Sequence, residues 1–346
     1  MTRKEKRTKL VIPPFVFGTS GLGNIYKAES YDNKKKIVEA ILLSSPEVTF
    51  FDTAGKYGAG LSLEVLGSCL KDFKVDKSKV IISNKLGWFR TELLSDEPTF
   101  EPGVWKELGF DAEQRISYEG ILECYEQGND LLGEYHSDYV SVHDPDEYLF
   151  AAKNREDHQK RYKDILDAYK ALLELKDQGK VSAVGIGAKD WRIIRRICKD
   201  VKLDWVMIAN SLTVISHSDE LIEFLAELDR YDIPVINSAI FNGGFLIGSD
   251  YYNYRLLDES RGDDRILIQW RSRFYQACDQ FGLSPAVVCF HYAKHFPGIK
   301  SIAMSTSKAE KVALNIEMAN HTVPGAFWET MIAQGLIERG SIPHFQ

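Results

Sequence analysis

Short apolar bursts and longer amphipathic stretches alternate along almost the whole chain. The bursts, rich in β-branched and aromatic residues and bounded by Gly, Pro, Asn or Asp, predict strands. They fall at Phe15–Gly18, Thr49–Asp52, Val80–Lys85, Tyr139–His143, Ala183–Gly187, Trp205–Ala209, Pro234–Ser238 and Ile299–Ala303. Between them apolar residues recur at helical spacing over Lys34–Leu43, Leu61–Leu70, Ser117–Leu132, Lys163–Gln178, Trp191–Lys199, Ser218–Arg230 and Ile266–Phe281. Gly179 is a stop after the fourth of these, Ser218 an N-cap ahead of Leu221, Phe224, Leu225 and Leu228, and Ser284-Pro285 opens one more helix before the last strand. Strands separated by helices predict a parallel sheet with helical crossovers. Eight of them close naturally into an α/β, (β/α)₈ TIM barrel, with a doubly wound open sheet as the competing fold. We read residues 1–346 as one such unit, with 1–14 a flexible start.

Two connections are longer than an ordinary βα loop. Residues 87–116 form an insertion carrying Trp88, Phe89, Arg90, Phe100, Trp105 and Phe110. Aromatic faces beside a barrel mouth suit a small ligand with apolar faces and polar edges, although such a segment can equally pack on itself. The second, Phe241 to Asp264, contains Asn242-Gly243-Gly244 and the tyrosines Tyr251, Tyr252 and Tyr254. The charges of Lys153 to Lys163 read as a solvated face.

Charge and composition narrow the function. A net charge of −7 and the absence of a basic stripe interleaved with aromatics argue against nucleic acid as a partner. No apolar run approaches the ~20 residues of a membrane span. The basic start, Thr2 to Lys9, is followed by Pro13-Pro14 rather than by the unbroken apolar core of a signal peptide. Five scattered cysteines with no C-x-x-C read as reduced thiols of a cytoplasmic protein.

The chemistry is concentrated at strand ends. The strand Val48-Thr49-Phe50-Phe51 stops at Asp52, and Tyr57 follows on a loop punctuated by Gly55, Gly58 and Gly60. Val80–Asn84 ends at Lys85, and Tyr139–Val142 ends at His143. Each residue alone has an ordinary structural explanation, but a barrel gathers its strand termini at one face, so acid, phenol, amine and imidazole can converge there. Competing motifs are weak. Gly18-Thr19-Ser20-Gly21-Leu22-Gly23 has its glycines in the order G-x-x-G-x-G, unlike the dinucleotide fingerprint, and reads as a tight turn that a ligand can approach. His291 and His295 have metal-ligand spacing but no third ligand nearby, so no metal is expected.

At Asp52, Tyr57, Lys85 and His143 the chain resembles the aldo-keto reductase superfamily. The likeness rests on Phe-Asp-Thr-Ala-x-x-Tyr-Gly at 51–58, Ser83-Asn84-Lys85-Leu86-Gly87, and Val142-His143-Asp144-Pro145-Asp146. Within the superfamily it is most similar to the aldose 1-dehydrogenase branch, through Ser117–Gly120, Ala239–Leu246, Val323–Trp328 and Gln334–Ile337. The resemblance implies a barrel that binds NAD(P) at its carboxyl face and uses those four residues catalytically. It implies oxidation of the anomeric hydroxyl of an L-fucose, D-threo-aldose or L-galactose type sugar to the lactone. Alternatives are another alcohol or aldehyde, such as pyridoxal or a small carbonyl compound, or a cofactor-binding sensor or accessory protein. For the cofactor it implies Gly18, Thr19, Ser238, Phe241, Asn242, Gly244, Ser305, Thr306, Lys311 and Asn315, and for substrate Trp88, Phe89 and Phe241. Gly187-Ala188, Ala209 and Asn237 stand where many members carry Ser-Asn, a glutamine and a ring-stacking aromatic. Ser305 replaces a lysine frequent in NADP-preferring members, which tilts the expectation towards NAD, with Lys308 or Lys311 able to compensate. A monomer or weak homo-oligomer is expected.

Overall fold

The computed structural model describes residues 10–45, 47–253, 255–338 and 340. Tyr254 and the basic start therefore lie outside the described residues. The eight expected strands are all present: β1 (Phe15–Gly18), β2 (Thr49–Ala54), β3 (Val80–Leu86), β4 (Tyr139–His143), β5 (Ala183–Ala188), β6 (Trp205–Ala209), β7 (Val235–Ser238) and β8 (Ile299–Ser305). They pair in parallel in the order β1-β8-β7-β6-β5-β4-β3-β2 and close into a barrel, which disposes of the open sheet.

Register explains how the barrel places its side chains. Gly18 pairs with Asp52 and with Ser305, Lys85 with Ala54 and Ser141, His143 with Gly187, and Ala209 with Ser238. Successive residues of a strand face opposite sides of the sheet. Val16, Phe50, Tyr139, Ala183, Trp205, Met207, Ile236 and Ala303 form one buried cluster that fills the barrel, with Ile81, Leu10 and Ile12 packed against it. Leu10 and Ile12 belong to the segment expected to be flexible, and they close the floor. The helices bury a separate and larger apolar layer against the outer faces of the strands.

Three elements depart from expectation for identifiable reasons. The helix before β5 begins at Arg155, not Lys163, because Asn154 caps it and accepts from Asp157 N; its first turns carry charge on a solvated face and so show no apolar period. The helix after β8, which the family resemblance ends at Asn315, runs Glu310–Glu317 because its last turn continues directly into a 3₁₀ turn at Met318–Asn320. The 87–116 insertion is an antiparallel hairpin, Trp88–Glu92 with Phe110–Gln114. Its seventeen-residue tip, residues 93–109, folds back over the barrel instead of ending in a tight turn.

Candidate active site

Asp52, Lys85 and His143 are inward-facing residues near the carboxyl ends of β2, β3 and β4, and all three are buried. Tyr57 reaches the same place from the turn after β2. Its backbone N–H donates to Ala54 O, and its carbonyl accepts from Ser62 N at the start of the helix Leu61–Asp72. Gly58 makes the turn possible: it adopts φ 62° with the Gly23 backbone packed against its Cα, where a Cβ has no room. The structure thus brings the four strand-end groups together.

Lys85 Nζ donates to Asp52 Oδ2 at 2.5 Å and to Thr53 O at 3.2 Å, and sits 4.8 Å from the centre of the Tyr57 ring. The His143 ring meets the Tyr57 ring edge-on, with centroids 5.7 Å apart. Electrostatics follow from burial in a dry site. Burial alone disfavours the Lys85 ammonium, but the Asp52 carboxylate and Tyr57 together reverse that and hold its pKa above the ordinary lysine value. Burial raises the Asp52 carboxyl while Lys85 opposes the rise. Burial pushes the Tyr57 phenol up to about 12, again against the pull of Lys85. Burial, then Lys56 and Lys85, drive His143 well below its ordinary value, so the imidazole is neutral at physiological pH. Its Nδ1 is buried without a hydrogen-bond partner.

A charged cluster borders the four residues. Lys56, buried beside Tyr57, pairs with Glu101 at 2.7 Å and Glu147 at 3.1 Å, and lies 3.8 Å from Asp144. Lys189, after β5, pairs with Glu147. Burial opposes the Lys56 charge, and the three carboxylates outweigh it, leaving its pKa raised. Glu101 comes from the hairpin tip, so this cluster ties the insertion to the barrel rim. Aromatic packing does the same. Trp105 stacks at an angle on Tyr57 (5.9 Å) and on Phe100, which packs on Trp88. Trp88 therefore faces the site. Phe89, one residue on, faces the other way, under the Arg115 guanidinium and against the outer core.

A profile of the Aldo/keto reductase family matches residues 14–333. The chain belongs to the aldo/keto reductase family. It is 24% identical to a pyridoxal 4-dehydrogenase of Microbacterium luteolum, over 96% of each chain. It is 25% identical to a D-threo-aldose 1-dehydrogenase of a Pseudomonas species, over 95% of each. Among solved structures, a holo aldo-keto reductase from Bacillus halodurans superposes with a TM-score of 0.65 at 18% identity, covering 95% of each chain. The reductase is accordingly an NAD(P)-dependent oxidoreductase with the barrel fold.

The carboxyl face fits such a cofactor. The helix Glu310–Glu317 has no side-chain cap, and Lys308 and Lys311 stand exposed beside its first turn, an arrangement that favours an anionic phosphate. Ser305 Oγ lies 3.1 Å from Ser20 Oγ at the exposed end of β8, and a Cβ on Gly18 would come within 3.3 Å of Ser305. Thr306 Oγ1 bonds Lys308 N and O in the turn before the helix, and Asn315 lies half-buried farther along it. Other expected contacts are used internally. Thr19 Oγ1 bonds Asp52 O and Ser62 Oγ, and Ser238 Oγ donates to Ile208 O. Asn242 is fully buried and its amide donates to Asn253, while Gly244 adopts φ 91° before a short 3₁₀ turn. Phe241 is half-buried against the outer core. Asn237, aligned with the stacking aromatic, instead donates to Leu212 O and Ala293 O.

A cavity of about 620 Å³ opens on the same face, lined in part by Asp146, Glu147, Lys189, Asn210 and Asn253, and none of the four strand-end groups reaches it. Sequence reasoning missed Lys56, Glu101, Asp144, Glu147 and Lys189. The available signal was local: Lys56 adjoins Tyr57, and an acidic run follows His143. No metal-binding group of three or more His, Cys, Asp or Glu exists among the described residues; His291 instead bonds Met318 O.

Proposed function

We propose that this reductase oxidises the anomeric hydroxyl of a pyranose aldose, of the L-fucose, D-threo-aldose or L-galactose type, to the lactone. One observation carries the chemistry: the buried Lys85–Asp52 pair lies against Tyr57 and beside His143. NAD(P), when bound, supplies the hydride acceptor. Oxidation removes the C1 hydrogen as hydride and the hydroxyl hydrogen as a proton, and Tyr57 Oη takes the proton. Burial raises the phenol to about 12 even against the pull of Lys85, so its phenolate is the scarce, reactive form and oxidation is favoured at alkaline pH. The Lys85 ammonium stabilises that phenolate, and Asp52 keeps the ammonium charged and aimed. In the reverse direction the protonated phenol is a ready acid at neutral pH. Neutral His143 keeps one donor and one acceptor nitrogen and orients the reacting oxygen.

The sugar would lie between Trp88 and the Phe241–Asn242 connection, with its C–H face on the indole. Phe89, on the opposite face of the hairpin, has no place in that pocket. Gly18, Ser305, Thr306, Lys311 and Asn315 would line the cofactor site, with Thr19, Ser238, Asn242 and Gly244 shaping its walls. Neutral Ser305, followed by Glu310 in the helix's first turn, favours NAD over NADP. We further propose that the chain acts as one barrel unit, a monomer or weak homo-oligomer; its described cysteines are all free, as suits the cytoplasm.

A second reading, oxidation of pyridoxal or another small alcohol, draws support from the full-length likeness to a pyridoxal 4-dehydrogenase. A screen of pentoses, hexoses, 6-deoxyhexoses and pyridoxal with NAD and NADP, followed at the reduced-cofactor absorbance, separates the two. Turnover of L-fucose, L-galactose or D-arabinose well above pyridoxal supports the aldose reading; the converse removes it.

A further inference from the structure

Asp144 follows His143 directly and occupies an unusual position. Its Oδ2 lies 3.6 Å from His143 Nε2, 3.8 Å from Lys56 Nζ and 3.7 Å from Lys189 Nζ. Each separation is too long for a hydrogen bond, yet short enough for one oxygen atom to bridge carboxylate and ammonium at ordinary hydrogen-bond distances. The side chain is mostly buried, and Asp144 precedes the short helix Pro145–Phe150 in a left-handed conformation (φ 43°) that aspartate tolerates better than most residues. Lys56 is buried between Tyr57 and this carboxylate, and Glu101 and Glu147 fix its position. A carboxylate and an ammonium side by side next to the reacting group make a receptor for a hydroxyl, which donates to one and accepts from the other.

We infer that Asp144 and Lys56 form a specificity-determining pair that binds the sugar hydroxyl neighbouring the reacting carbon. The inference rests on the aldose reading above. A substrate without that hydroxyl cannot bridge the 3.8 Å between Asp144 and Lys56, which keeps its pairs with Glu101 and Glu147, so discrimination falls on the sugar and not on the redox step.

The test compares wild type, Asp144→Asn and Lys56→Met on three substrates: an aldose that the wild type oxidises, the same aldose lacking its C2 hydroxyl, and an aromatic aldehyde without hydroxyls. Titration of intrinsic fluorescence with NADH and NADPH checks fold and cofactor binding in each. In both variants KM for the parent aldose should rise at least about tenfold, more than for the aldehyde and more than kcat falls. The wild-type preference for the parent over the deoxy sugar should shrink towards unity. Preserved discrimination in both variants overturns the inference. So does an equal loss on all three substrates, which would make Asp144 a support for His143. A wild type that oxidises no aldose removes the aldose reading and the pair together, and that arm requires no variant.

Discussion

Along β2, Phe50 faces the barrel axis at the floor and Asp52 faces it at the mouth. Along β4 the same steps lead from Tyr139 through Ser141 to His143. The floor is close-packed hydrocarbon: Phe50 meets the Tyr139 ring edge-on, and the Trp205 indole fills the space that a side chain at residue 185 would take. The mouth, two to four residues farther on, holds a buried lysine, carboxylate and imidazole with the partly buried Tyr57 phenol beside them. Burial stabilises the floor, since removing apolar surface from water is favourable. At the mouth burial works against every charge, which persists only because a counter-charge stands beside it. The two regions share strands, yet one is built for stability and the other gathers the groups proposed to transfer the proton.

The sharpest way to break this contrast is to remove the proposed proton-transfer group. Tyr57→Phe should lower kcat by at least about 10²-fold while NADH affinity stays within a few-fold. Steady-state kinetics with a fluorescence titration decides it, and near-normal kcat removes Tyr57 from the mechanism.

Lys85→Met comes next. Turnover should fall by about 10- to 100-fold. Because Lys85 opposes the burial-driven rise of the Tyr57 pKa, its loss raises that pKa further, and the alkaline rise of the oxidation rate should move to higher pH. An unchanged pH–rate profile would dissociate the two residues. The variant also strands Asp52 as an unpaired buried carboxylate, so melting curves should accompany it, with Asp52→Asn/Lys85→Met as the matched control.

Gly185→Ala probes the floor. A methyl group there would enter the Trp205 indole and should cost about 1–3 kcal/mol of stability, with the activity per folded molecule largely kept. Calorimetry and active-site titration tell the effects apart; an equally large loss of kcat would mean that floor and mouth are mechanically coupled. Ser305→Lys is the mildest change. It should move kcat/KM towards NADP by several-fold, as one added charge-assisted hydrogen bond allows. No movement would place the 2′-phosphate contact away from the end of β8.

Much of the frame was legible in one dimension. Buried strands are continuous apolar bursts whose period and bounding turn residues survive whatever packs on them, so all eight were recognisable. Asp52, Lys85 and His143 were legible because they end such bursts, and Tyr57 because a glycine-rich turn follows one. The hairpin of the insertion was not, since Trp88 and Phe89 are both aromatic and conceal the alternation that sends one to the site and the other to the outer core. Nor was the early start at Arg155, where a cap and solvated charges form the helix without an apolar stripe.

Pattern and strand-end residues in the sequence therefore determined the barrel and which four ionisable groups meet at its mouth, because both depend on local periodicity. Tertiary structure alone decided the rest. Glu101, Lys56, Asp144, Glu147 and Lys189 come from four separate segments, and only closure of the barrel brings their charges within 4 Å of one another. The protonation states of Tyr57 and His143 are likewise invisible in the chain, because they follow from desolvation and from charges distant in sequence.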